Sequence, residues 1–212
     1  MPLSMWKPEV PPLRVLVFIL GTFLLFLLTE GYLILAFGKE PLRYTLWEVL
    51  FWGLLLHWSV QVRIHLPFQA SMSQLFLLAL AMLLLFPSWI APLMVFFQGS
   101  GNTWYKQIFN RSQDALSTAM AGFLWKFFEN NPLYLGSWNL SAGVGISTAA
   151  IAFFAVNTSL VTTAIYLSSN TPWREIWRKN FKWLAISYFF LSPIALLLAR
   201  AYETPLIGNW GG

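Results

Sequence analysis

From Val15 to Phe37 the chain reads VLVFILGTFLLFLLTEGYLILAF, with Glu30 as its one charged residue. A run of this length constrains the fold more than any other feature. A bilayer's hydrocarbon core, about 30 Å thick, is crossed by roughly 20 apolar residues in a helix. The run also outlasts the apolar stretch of a secretory signal, and no small-residue cleavage site follows it. It reads as a retained first span. The rest of the chain agrees: 58% of its 212 residues are hydrophobic and 10% are charged, against about 25% charged in a soluble domain. An ordinary water-soluble fold is excluded.

Further spans follow, each ended by helix-breaking residues. Gly38 and Pro41 close the first. A second is expected from Tyr44 to Ser59. In VQVRIHL, Val60, Val62, Ile64 and Leu66 alternate with Gln61, Arg63 and His65, a period of two that predicts a short extended segment ending at Pro67. The third span, Ser73 to Phe86, is broken by Pro87. WIAPLMVFF, with Pro92 inside it, makes a fourth too short to cross upright. The fifth runs from Trp104 to Phe128 and the sixth from Gly145 to Leu167, separated by the loop ENNPLYLGSWNLSAG; the GVG at Gly143 to Gly145 reads as a turn. The seventh, LAISYFFLSPIALLLA, ends near Ala199. The expectation is a single all-α domain, a polytopic membrane helical bundle of about seven spans, some short or Pro-broken.

Before the last span lies WREIWRKNFKW. Trp173, Ile176, Trp177, Phe181 and Trp183 occupy one side of a helix, opposite Arg174, Arg178, Lys179 and Lys182. That is the pattern of an interfacial amphipathic helix touching the bilayer surface, with Thr171 and Pro172 as cap and first turn. With the N-terminus in the cytoplasm, the inner face collects Lys7, Arg14, Arg63, Lys106, Arg111, Arg174, Arg178, Lys179 and Lys182, and the outer face Lys39, Arg43, Lys126 and Arg200. Basic loops stay inside. We therefore expect a multi-pass protein of the inner (plasma) membrane with a cytoplasmic N-terminus. The net charge of +5 is explained by those loops and calls for no nucleic acid.

The chemistry of interest lies on the fifth span. Lys106, Asn110, Asp114 and Ser117 recur at helical spacing along one face, flanked by Gln113, with Arg111 pointing away. An Asp three turns into an apolar helix costs about 2–3 kcal/mol on insertion scales unless it pairs or meets water. Asn110, Gln113 or Arg111 is in reach of it. Asn157 interrupts the sixth span beside Thr158 and Thr162 and is expected to face the fifth. Two readings stand: a polar recess that binds a small-molecule ligand, or a self-satisfied cluster that fixes helix packing. Glu30 and Glu48 either snorkel outward or line a cavity. His57 reads as interfacial, and His65, on a strip with Gln61 and Arg63, as solvated. Most of the twelve tryptophans, Trp89 and Trp104 among them, fall at expected interfaces.

The third span with its Phe-Pro break is followed in order by WYKQIFNRSQDALSTAMAGFLW, FFAVNTSLVTTAIYL and PWREIWRKNFKWLAISYFFLSPIALLLA. Over roughly Val49 to Tyr202 this order resembles the multi-span N-terminal module of bacterial HD-GYP-type and related cyclic-dinucleotide signalling proteins. More loosely, it is similar to the substrate-binding S-components of energy-coupling-factor transporters. The first resemblance implies a sensory input module, a further span after Tyr202 and a cytoplasmic output domain; neither of the latter two is in this sequence, nor is an HD, GYP or GGDEF string. No GxSxG, HExxH, P-loop or dinucleotide motif occurs, there is no cysteine, and two histidines make no histidine-rich metal site. We expect no catalytic activity, no cofactor and no metal. The expected partners are the lipid bilayer, a small-molecule ligand, and a cytoplasmic signalling partner or a second copy. The rival functions are a transporter's substrate-binding subunit and a structural membrane subunit or assembly factor.

Overall fold

The computed structural model describes residues 11–40, 44–61, 63–65, 71–73, 75–98, 103–182 and 184–203. Eight helices account for most of them: α1 (Leu13–Phe37), α2 (Leu46–Gln61), α3 (Leu75–Leu85), α4 (Ile90–Phe96), α5 (Trp104–Asn130), α6 (Ser141–Ser169), α7 (Trp173–Asn180) and α8 (Leu184–Glu203). Two short antiparallel hairpins link them: β1 (Arg63–His65) with β2 (Ser71–Ser73), and β3 (Tyr134–Leu135) with β4 (Trp138–Asn139).

Three helices, α1, α6 and α8, are long and apolar enough to cross a membrane. The seven spans expected from the sequence are not confirmed. Helix α5 is long but carries too many polar residues to register as an apolar span, and α3 and α4 have only 11 and 7 residues. At about 1.5 Å per residue neither crosses about 30 Å of hydrocarbon alone. Pro87 enforces the break between them, as expected.

Ring contacts fix the helix directions. Phe18 meets Phe109 and Tyr32 meets Phe123, so α1 and α5 run parallel. Asn157 reaches Asp114, and Gly145 lies against Trp125, so α5 and α6 are antiparallel. This pair is the most intimate in the bundle. A Cβ built on Gly145 would stand 3.1 Å from the Trp125 ring and 3.2 Å from Phe128. The glycine is there for close approach, inside α6. The predicted turn at Gly143–Gly145 is therefore corrected: α6 starts at Ser141, because packing on α5 outweighs the low helix propensity of glycine. The preceding loop also folds into a hairpin whose turn has Gly136 at φ 60, a conformation glycine adopts freely.

Other boundaries move for local reasons. Val60 and Gln61 belong to α2, since Val60 is buried in the core; the extended segment is only Arg63–His65, and Val62 and Leu66 lie outside the described residues. Ser73 is in β2 rather than α3. Helix α2 opens on a capping box: Glu48 Oε2 accepts from the Thr45 backbone N–H (2.6 Å) and hydroxyl (2.9 Å), while the Glu48 N–H donates to Thr45 Oγ1 (3.4 Å). Glu48 neither snorkels nor lines a cavity by itself. Asn170, at φ 54, ends α6 in the left-handed region that Asn tolerates. Pro172, not Thr171, is the residue before α7, its carbonyl accepting from Glu175 and Ile176.

The two ends of the bundle differ in charge. Among the residues with described side chains, Arg14, Lys106, Arg111, Arg174, Arg178, Lys179 and Lys182 share one end with a single acid, Glu175. The other end holds Lys39, Lys126 and Arg200 with Glu40, Glu48, Glu129 and Glu203. There Lys126 clasps Glu40 (3.2 Å) and Glu129 (2.8 Å), tying the segment after α1 to the end of α5.

Candidate functional site

The polar seam sits between α5 and α6. Asp114 Oδ1 accepts two hydrogen bonds of 2.9 Å, one from Gln113 Nε2 on its own helix and one from Asn157 Nδ2 on α6. Asn157 faces α5 as its chemistry requires, because a mid-helix amide has no easy return bond to its own backbone. The hydroxyls around it do have one. Ser112, Ser117 and Thr118 donate to the carbonyls of Ile108, Gln113 and Asp114. Thr158 and Thr162 donate to Phe154 and Thr158. Each of these hydroxyls is satisfied within its own helix. The interhelical polar contact therefore rests on Asp114 and Asn157.

The expected face is only partly assembled. Asp114 is half-buried, and Ser117 and Gln113 are buried. Gln113 Oε1 is enclosed without a donor among the described residues. Lys106 and Asn110 are half-buried and engaged in interactions of their own. Arg111 makes no ion pair with Asp114. Tyr188 of α8, missed in the sequence, lies within electrostatic reach of Asp114. Its ring packs at a tilt against Phe76 (4.1 Å between centroids) and Phe154 (5.1 Å), so α3, α6 and α8 meet in an aromatic wall.

Three further polar features lie outside the seam. Glu30 is buried, 5% exposed, on the same stripe of α1 as Ile19, Phe26 and Leu33. It does not snorkel, and neither carboxyl oxygen finds a donor among the described residues. His57 shares a 2.9 Å hydrogen bond with Gln98, tying α2 to the segment after α4. At the acidic end a cavity of about 230 Å³ is lined by Glu40, Tyr44, Trp125, Lys126, Glu129 and Glu203 over an apolar floor of Leu83 to Phe86.

Helix α7 packs part of its apolar side on the protein. Ile176 is buried, and Trp177 and Phe181 pack on the main core. Trp173 stays exposed, as do Arg174, Arg178, Lys179 and Lys182; Trp183 lies outside the described residues. The apolar side expected to face lipid is thus partly spent on the bundle, which leaves the basic side outward. Lys179 bonds Glu175 at 2.6 Å and holds its carboxyl below the usual carboxylate range.

A membrane helical bundle with a polar contact across its tightest helix pair, and no cluster of His, Cys, Asp or Glu among the described residues that could hold a metal, is the class of protein these observations define. The family model MASE9 matches residues 10–208. The chain belongs to the MASE9 family. MASE domains are membrane-associated sensory modules. No curated protein and no solved structure matches the chain.

Proposed function

We propose that this chain is a sensory input module without catalysis of its own, in which the α5–α6 pair carries the signal. The supporting observation is the Asp114 oxygen shared between Gln113 on its own helix and Asn157 on the next. A small ligand with donor groups competes with Asn157 for that oxygen. Releasing Asn157 frees α6 to shift against α5, and α6 continues through α7 into α8, so the shift is passed to the basic end. A ligand moves such an equilibrium only through its differential affinity for the two packings. The charge segregation supports a cytoplasmic basic end, an N-terminus on that side and an inner-membrane location. The resemblance to the input modules of HD-GYP-type proteins supports an output in cyclic-dinucleotide signalling, delivered to a cytoplasmic partner or a second copy.

The closed state of the seam favours a second reading, a purely structural subunit, since its hydrogen bonds already terminate on one another. A metabolite mass spectrum of the purified full chain separates the two. A solute that co-purifies with the wild type and is absent from folded Asp114→Ala and Asn157→Ala supports the sensory reading. Identical spectra for all three, with only melting temperatures changed, overturn it.

A further inference from the structure

Arg111 lacks a partner among the described residues. It is half-buried, its Nε is enclosed without an acceptor, and it joins none of the ion pairs among the described residues. Asp114, three residues on and in reach of a helical neighbour, turns to Gln113 and Asn157 instead. A guanidinium does not shed its charge, and an unpaired one within a membrane bundle is costly. The acceptor for Arg111 therefore lies beyond the described residues.

Its chemistry follows from the surroundings. Arg111 stands seven residues, about 10 Å, into α5 from Trp104. The two lie on one stripe, and Trp104 is 55% exposed, as an indole at the headgroup level is. Among the described residues the basic end offers no free carboxylate, because Glu175 is already bonded to Lys179. The planar fork of arginine matches phosphate oxygens two at a time. We propose that Arg111 anchors a binding site for a phosphate-bearing anion, with the headgroup of an anionic phospholipid entering beside Trp104. Arg174 and Arg178, one turn apart on α7 and exposed, raise the local anion concentration without holding the ligand. This site is independent of the Asp114 seam.

The test uses the full chain in detergent, titrated with phosphatidylglycerol or phosphatidylcholine and read by native mass spectrometry. Phosphatidylglycerol adducts are expected to persist over phosphatidylcholine and to weaken about tenfold in Arg111→Gln. Arg111→Lys keeps the charge but loses the fork and is expected between the two. Arg174→Gln with Arg178→Gln is expected to weaken binding less than Arg111→Gln does. A parallel arm adds millimolar inorganic phosphate, which should not displace the lipid. Displacement with the same dependence on Arg111 overturns the lipid source in favour of a free anion. Equal retention by wild type and Arg111→Gln, in chains with matching melting curves, overturns the site altogether.

Discussion

Removing Asn157 isolates one interhelical hydrogen bond, because Asp114 Oδ1 keeps its second donor on its own helix. Asn157→Ala leaves Asp114 held by Gln113 alone. Asp114→Ala is harsher, since it strands two amide donors, Gln113 Nε2 and Asn157 Nδ2, and should lower stability by about 2 kcal/mol. The double mutant should be less destabilised than the sum, with a coupling energy of about 1 kcal/mol, the scale of polar contacts between membrane helices. Asp114→Asn retains an acceptor oxygen in the same place and should preserve most of that coupling. The assay is reversible unfolding in bicelles by sodium dodecyl sulfate titration, with all four members of the cycle measured together. A coupling within about 0.3 kcal/mol of zero means that the two side chains do not meet in the folded bundle, and the seam reasoning fails with it.

Other positions give sharp expectations. Gly145→Leu drives a branched side chain into the Trp125 and Phe128 rings, 3.1 and 3.2 Å from the Cβ position; it should destabilise by about 1–3 kcal/mol, whereas the same change at Gly143, where nothing lies within 4 Å, should be tolerated in the unfolding assay. Thr45→Ala removes half of the box that caps α2 and should cost about 1 kcal/mol, read as a lower unfolding midpoint. Lys179→Gln should raise the Glu175 titration midpoint back into the ordinary carboxylate range by carbon-13 NMR. In the wild type that carboxyl is depressed, so the contact contributes above the unfolded-state value and is lost as pH falls through the folded one; an unchanged midpoint would refute the pairing.

What was legible in the sequence follows from how each side chain gets its information. Asn157 could be assigned to α5 because it interrupts an apolar run and has no cheap bond to its own helix. The Pro87 break and the basic face of α7 were equally local. Glu30 was not legible: α1 is apolar all round, so nothing in its pattern tells which stripe faces protein and which faces lipid. The Thr45–Glu48 box carries a T-x-x-E signature and was readable, but it lay inside an apolar run and was taken for span. Gly143 and Gly145 looked like a turn because the rings of Trp125 and Phe128 that Gly145 accommodates lie some twenty residues away in sequence. Tyr188 and the aromatic wall depend on how α3, α6 and α8 rotate about one another, which is tertiary information. The count of seven spans is not confirmed, for a related reason. Short helices such as α3 are held by their neighbours, and hydropathy over a window does not register support from the side.

The account stands on an α5–α6 hairpin that traverses the bilayer with Asp114 and Asn157 inside it. The chain has no cysteine of its own, so single cysteines at Asn130 and Ser169, the exposed last residues of α5 and α6, can be labelled cleanly with a membrane-impermeant maleimide. In intact cells the cysteine at position 130 should react, and the one at position 169 should react only after lysis. Labelling of both from the same side would contradict the account.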